Sequence, residues 1–390
     1  MSSRPDCCIR SLLLIAFVGG QMLLPALSVA QDDDAEKRVT FYTTYGYLEN
    51  DVWTIPLKAW VHEEPDFARR FVADAARGKL QQRAQVDNLD QTQKLRFEHR
   101  IEGFIADSES RETVRFVFDA DPESIVYRLR GASGESTTDR NGLIHGTINV
   151  TREKATELLE RQNSIDGWLT FRARADDQSG SGRVRLIPPD GVSVISDVDD
   201  TIKVTEIPAG ETAVLNNTFF RPFRAAACMA EHYSAMHTDT AFHYVSGGPW
   251  QMYEPLAEFL FTDSDAFPEG SFHMKDVRTN PFETESYTDI WALLASGSQQ
   301  ATFEQKVRQI DALLGRFPGR KFILIGDSGE KDPEVFAEVL AAHGRQILGI
   351  FIRDVVNAAA NDPQRLHGMS VILPTADDSG ACVIINEQSD

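Results

Sequence analysis

A chain of 390 residues that is 42% hydrophobic and 25% charged carries enough apolar material for two domains, each with its own core. Its formal net charge of −20, without a long basic run, excludes ordinary nucleic-acid binding, which needs basic patches against phosphate, and argues against docking on anionic membrane. An anionic substrate stays compatible with that charge wherever a bound cation dominates the local field.

Residues 1–30 read as a secretory signal peptide. Arg4 and Arg10 form a charged start, residues 11–29 are mostly apolar, and Ser28-Val29-Ala30 is a small-x-small cleavage site before the polar QDDDAEK. The expected product is exported, periplasmic or secreted, and keeps no integral membrane segment. Cys7 and Cys8 would leave with the signal. Cys228 and Cys382 remain, and could pair in an oxidising compartment or stay as two buried thiols.

Residues 31–37 form an acidic linker, and residues 38–188 read as a mostly-β, sandwich-like accessory domain. Short alternating runs recur at 53–61, 113–118, 125–130, 143–150, 168–175 and 183–187, with turn residues such as Asp-Arg-Asn-Gly at 139–142 between many of them. Period-two runs broken by turns predict an antiparallel sandwich or small barrel. One helix is expected after Pro65, with Phe67, Phe71, Val72 and Ala75 on one face.

The pattern changes at Pro188-Pro189-Asp190-Gly191. Residues 189–390 alternate strands at 192–196, 242–245, 321–325 and 347–352 with helical segments near 223–236, 250–261, 303–315 and 333–342. Such alternation predicts an α/β fold, a doubly wound, Rossmann-like parallel sheet covered on both faces. Ligands bind such sheets beyond the carboxyl ends of the strands.

Chemistry-bearing residues gather at those ends. The strand VSVIS runs into Asp197, Asp199 and Asp200, and like charges so close need a cation or a shared proton. FHYVSGGPW, 242–250, delivers Ser246 and then Gly247 and Gly248, a hydroxyl beside backbone that a phosphate can approach. RKFILIGDSGEKDPE, 320–334, delivers Asp327 and Asp332, hard oxygen ligands that suit Mg²⁺. Asp332 is also placed to cap the helix that opens at Pro333. Lys306 stands 21 residues before Asp327 in an expected helix. Each piece alone has an ordinary structural explanation; their order in one chain is the phosphoryl-transfer pattern.

That order resembles the haloacid dehalogenase superfamily of aspartate-nucleophile phosphohydrolases. Asp197-Val198-Asp199-Asp200-Thr201 matches its first motif, Ser246 the second, Lys306 the third, and Gly326-Asp327 with Asp332 the fourth. The wording ISDVDDTI, NTFFRPF, FHYVSGGPWQMY, FILIGDSGEKDPEVFAE and IFIRDV is similar to the catalytic domain of the phosphatidate phosphatases typified by the actin-patch protein.

The resemblance implies Asp197 as nucleophile and Asp199 as proton shuttle. It implies Thr201, Ser246, Gly247 and Lys306 around the phosphate. It also implies Mg²⁺ on Asp197, the main-chain carbonyl of Asp199, Asp327 and Asp332. Thr201 is further expected to fix the turn between Asp197 and Asp199, and Asp200 to be a cap or supporting partner. The implied substrate is a phosphomonoester, phosphatidate at a membrane surface by resemblance alone, and no protein partner is indicated. One departure is Gly248, where many relatives carry a second serine.

Two other classes are weighed. A signalling receiver domain also uses strand-end aspartates, but has no counterpart of Asp199. A binding protein with a silent second domain would not need every motif residue. A phosphatase of soluble or protein phosphoesters is the alternative within the same chemistry. Zinc is not expected, since no HxH or HExxH occurs, and there is no P-loop or GxSxG elbow. Arg353-Asp354 is expected to be a structural ion pair.

Overall fold

The alternation in residues 53–61 puts Ile55, Leu57, Ala59 and Val61 into a single core with Phe116, Phe118, Leu169, Phe171 and Val184. In the computed structural model these residues belong to a ten-stranded mixed sheet. The structure describes residues 36–262, 267–276, 299–376 and 380–386, so the signal-peptide reading of 1–30 lies outside the described residues.

The first sheet comprises β1 (Lys37–Phe41), β2 (Thr44–Glu49), β3 (Val52–Glu63), β4 (Asp107–Ser108), β5 (Arg115–Phe118), β6 (Tyr127–Arg128), β7 (Leu143–Thr151), β8 (Trp168–Ala173), β9 (Gln178–Ser179) and β10 (Ser181–Leu186). Most pairs are antiparallel, but β1 with β9 and β2 with β10 are parallel. The hydrogen-bonded path β6-β5-β8-β10-β2-β3-β1-β9 is continuous, so both sides of this core belong to one sheet.

Three helices interrupt it: α1 (Phe67–Arg83), α2 (Gln91–Ile105) and α3 (Arg152–Arg161). Asp66 caps α1, and Asp90 with Gln93 forms a capping box at α2. The expected apolar face of α1 is not the one that packs. Phe67 and Phe71 are 87% and 68% exposed and Ala75 is exposed, whereas Ala73, Ala76 and Leu80 are buried. Small alanines let α1 lie close to its neighbours, so packing selects their face over the aromatic one. Leu80, Ala84, Phe97, Ile101 and Phe104 join a core shared with Phe219, Phe220 and Trp250 of the second half.

The second half contains β11 (Val192–Ser196), α4 (Glu211–Leu215), α5 (Met229–Ser234), β12 (Ala241–Pro249), α6 (Tyr253–Phe261), β13 (Ser271–Lys275), α7 (Gln299–Arg316), β14 (Lys321–Asp327), α8 (Asp332–His343), β15 (Ile347–Arg353), α9 (Ala358–Asn361), β16 (Ser370–Ala376) and β17 (Cys382–Ile385). Its sheet runs β13-β12-β11-β14-β15-β16-β17, parallel except for the last pair. Side chains alternate between two cores, as period two requires. Val194, Tyr244 and Ile325 face one, and Ile195, Val245 and Leu324 the other.

The two halves are stitched together. Phe272 donates its amide to the Thr43 carbonyl at 3.0 Å, and Arg320, 1% exposed, holds the carbonyl of Pro188 at 2.8 Å. Cys228 and Cys382 form a disulfide that ties the entry to α5 to β17. Among the described residues no helix is long and apolar enough to cross a membrane.

Candidate active site

β11 lies between β12 and β14, and Ser196 pairs with both Tyr244 and Ile325. That row is the last residue of β11, and β12 and β14 run on beyond it. Asp197 is one residue beyond that row, and Ser246 and Asp327 are each two beyond it. The chain continues from β11 towards β12 on one side and returns to β14 on the other, which is where a crevice opens in a parallel sheet.

Asp197, Asp327 and Asp332 bring carboxylate oxygens within 4.8 Å of one another, and all three side chains are buried. Burial pushes the Asp197 and Asp327 carboxyls well above the ordinary carboxylate range, and repulsion from Asp332 adds to it. Asp327 Oδ1 accepts from the amides of Gly329 at 2.6 Å and Glu330 at 3.2 Å, while its buried Oδ2 has no partner among the described residues. An all-oxygen set with an unpartnered buried carboxylate oxygen fits a hard divalent cation.

Lys306, 3% exposed, is delivered by α7. Its Nζ donates to Asp197 Oδ1 at 2.8 Å and Asp332 Oδ1 at 2.5 Å, and lies 3.7 Å from Glu330. Burial opposes its charge, but the surrounding carboxylates outweigh that and hold the ammonium well above its ordinary pKa. Asp332 is the first residue of α8 and turns its carboxylate into the site. It does not act as the expected cap, since Lys331 holds that position without a side-chain bond.

Asp199 stands beside this cluster. Its Oδ1 accepts from Lys203 Nζ at 2.7 Å and Thr205 Oγ1 at 2.6 Å. Burial raises its carboxyl, but Lys203 and Thr205 outweigh burial and leave it below the ordinary value. A Cβ on Gly248 would stand 3.1 Å from Ser246 Oγ and 3.9 Å from Asp199 Oδ2, so both groups border that glycine. Ser246 is fully buried and its Oγ accepts from the Gly248 amide at 2.9 Å. Thr201 is fully buried and donates to Asp197 Oδ2 at 2.9 Å.

Asp200 takes the left-handed conformation, φ 58°, and its carboxylate accepts the amides of Thr205, Glu206 and Ile207. It organises the loop that follows β11. The expected Arg353–Asp354 ion pair does not form among the described residues. Arg353 donates to the carbonyls of Asp200 and Pro374, and Asp354 accepts from Ser328 and from the amides of Ala358 and Ala359. Each is held instead by groups on neighbouring segments.

A cavity of about 270 Å³ reaches Asp199 and Lys306. Asp199, Lys203, Lys306, Glu330 and Lys331 line it together with Gly247, and so do the apolar side chains of Ile207, Val214, Met252, Leu256 and Phe303. Lys203, Thr205 and Glu330 escaped the sequence reading. Burial raises the Glu330 carboxyl to about 6, with Lys306 opposing it. Lys203 had a usable signal, four residues after Asp199, and Glu330 sits inside the motif FILIGDSGEKDPEVFAE.

Residues 192–354 match the family model of the phosphatidate phosphatase APP1 catalytic domain. The resemblance read from the motifs therefore holds over this segment. The chain is 29% identical over 270 residues to phosphatidate phosphatase APP1 of Saccharomyces cerevisiae, covering 68% of this chain and 41% of that protein. It is also 29% identical over 179 residues to the uncharacterized protein C29B5.04c of Schizosaccharomyces pombe, covering 45% of this chain and 27% of that one. The chain thus spans less than half the length of either relative. A carbohydrate esterase of solved structure is 9% identical with a TM-score of 0.21, over 80% of this chain and 87% of its own. That likeness bears on neither fold nor function.

Proposed function

We propose that this chain is an exported, Mg²⁺-dependent phosphatase of haloacid-dehalogenase-like fold that converts phosphatidate to diacylglycerol. Residues 189–390 are its catalytic domain and residues 38–188 an accessory β-domain. One observation carries the reading: Lys306, which bonds to Asp197, lines a cavity together with Asp199 and with several apolar side chains. The similarity of residues 192–354 to a phosphatidate phosphatase catalytic domain supports it. Export is supported by the apolar run at 11–29 and by the Cys228–Cys382 disulfide, a bond favoured in oxidising compartments.

In this mechanism an Asp197 oxygen attacks phosphorus, the bond to the leaving alcohol breaks, and an aspartyl-phosphate forms. Asp199 gives the leaving oxygen a proton. The substrate's negative charge beside Asp199 raises its carboxyl and favours its taking up that proton first. In the second half Asp199 removes a proton from water, which attacks the aspartyl-phosphate and frees phosphate. Lys306 and Ser246 hold the phosphoryl oxygens that are not transferred, and Thr201 keeps the Asp197 carboxylate aimed. Mg²⁺ would be held by Asp197, the Asp199 main-chain carbonyl, Asp327 and Asp332, and would offset negative charge on substrate and carboxylates. Ile207, Val214, Met252, Leu256 and Phe303 give the cavity an apolar lining that suits an acyl-bearing leaving group.

The test is phosphate release with Mg²⁺ over a panel of phosphatidate, sugar phosphates and a phosphopeptide. Wild type should favour phosphatidate, and Asp197→Asn should abolish turnover. Undiminished turnover in Asp197→Asn would reject the mechanism; turnover of sugar phosphates but not phosphatidate would reject the substrate.

A further inference from the structure

We propose that α2, from the β-rich half, is a working part of the catalytic site: Arg100, through Phe223 and Lys203, positions Asp199 for proton transfer. The proposal rests on the phosphatase reading above and adds to it a role for the accessory segment.

Arg100 is 5% exposed and pairs with no carboxylate among the described residues. A buried guanidinium without a counter-charge is costly to keep, so what it organises matters. Its Nη1 donates to the carbonyls of Thr218 at 2.6 Å, Arg221 at 2.7 Å and Asn217 at 3.4 Å. Arg96, one turn earlier, donates to the Phe220 carbonyl at 2.8 Å. These bonds fix the turn 216–221, which leads into the segment carrying Phe223.

The Arg100 guanidinium carbon lies 3.5 Å from the Phe223 ring centre, and Lys203 Nζ lies 5.0 Å from the same centre. One aromatic ring therefore attracts both cations. The backbone reinforces the link, since Val204 donates to the Arg224 carbonyl at 2.9 Å and Ala226 to the Ile202 carbonyl at 2.8 Å. Lys203 then meets Asp199 at 2.7 Å. A lysine has four rotatable side-chain bonds, and the ring limits where its ammonium can go. Thr205 also holds both Lys203 and Asp199; without the ring the ammonium keeps those bonds but loses the aromatic face that limits its position.

The experiment compares two substrates that differ in their need for a proton donor. Phosphatidate expels an alcohol that must be protonated, whereas p-nitrophenyl phosphate expels a phenolate that leaves unaided. General acid catalysis contributes about 10²–10⁴-fold, so partial misplacement should cost roughly ten- to hundredfold. Asp199 also serves the second half-reaction, which both substrates share, so the readout is kcat/KM, which reports only the steps up to departure of the leaving group. Arg100→Ala and Phe223→Leu should lose that much kcat/KM on phosphatidate and less than about threefold on p-nitrophenyl phosphate. Phe223→Tyr, which keeps the ring face, should restore the phosphatidate rate. Phe223→Leu leaves the carbonyl bonds of Arg100 in place, so it carries the test if Arg100→Ala fails to fold. Equal losses on both substrates, or none on either, would overturn the positioning role. A wild type inactive on both would instead sink the phosphatase reading itself.

Discussion

A Cβ on Gly326 would stand 2.6 Å from Asp332 Oδ2 and 2.7 Å from Asp332 Cβ. The glycine before Asp327 is therefore the space that the Asp332 carboxylate occupies. That carboxylate cannot swing aside easily, because Lys306 holds its other oxygen and the Asp327 amide donates to Oδ2 at 3.2 Å. Gly326→Ala should displace Asp332, cost about 1–3 kcal/mol of stability as overpacking does, and lower phosphatase turnover. Chemical denaturation and a turnover assay on the same preparation check both. A variant with wild-type stability and turnover would show that Asp332 has slack.

Asp197, Asp327 and Asp332 repel one another in a buried cluster, so a divalent cation should stabilise the fold on binding. At a concentration one hundred times its Kd, Mg²⁺ should add about 2.7 kcal/mol. Asp327→Asn removes one of the repelling charges and the unpartnered Oδ2. It should therefore raise the melting temperature of the metal-free protein and shrink the Mg²⁺-induced shift. Thermal melts with Mg²⁺ and with EDTA measure this. An equal shift in both proteins would place the cation elsewhere.

The strand-end residues were legible because each chemical signal rode on a strong structural one. Apolar strands of five to seven residues ended at Asp197 and Asp327, and parallel pairing with β11 at the centre brings those ends together with Ser246. Lys306 needed the motif order, since a lysine in a helix is unremarkable by itself. Other features were hidden by long-range packing. The helix face of Ala73, Ala76 and Leu80 carries a weaker apolar signal than Phe67 and Phe71, yet it is the face that packs. α2, where only the helix after Pro65 was expected, carries a stripe of Phe97, Ile101, Phe104 and Ile105, and nothing local says that it packs on the distant segment 216–221. Lys203 and Arg100 are polar residues whose partners depend on the fold as a whole.

Cys228 and Cys382 are bridged across 154 residues of sequence, with Cα atoms 5.1 Å apart. The bond fastens β17, at the sheet's edge, to the segment that enters α5. Loss of a native disulfide typically costs about 2–5 kcal/mol. The double variant Cys228→Ser, Cys382→Ser should unfold at lower denaturant by that margin, and reduction of the wild type should reproduce it. A wild type unmoved by reductant would mean that the thiols are not joined in solution.

His62 is 2% exposed and stacks on Trp60 with ring centres 3.7 Å apart. Thr40 Oγ1 gives its proton to Glu254 at 2.8 Å, so it accepts from His62 Nε2 at 3.1 Å. Burial, with Arg38 adding to it, lowers this histidine from 6.5 to about 3. Below pH 6.5 the unfolded chain binds a proton there that the folded chain refuses, so the His62 contribution falls as pH drops from 6.5 towards 3. Between pH 7 and 5 that loss is about 1–2 kcal/mol. The raised carboxyls of Asp197 and Asp327 act in the opposite sense, because the folded state takes up their protons more readily than the unfolded chain. Total stability can therefore stay nearly level while both contributions operate. His62→Gln separates them: urea unfolding at pH 7 and 5 should show the variant losing about 1–2 kcal/mol less than wild type on acidification. Identical losses in the two proteins would mean that His62 titrates normally in the folded state.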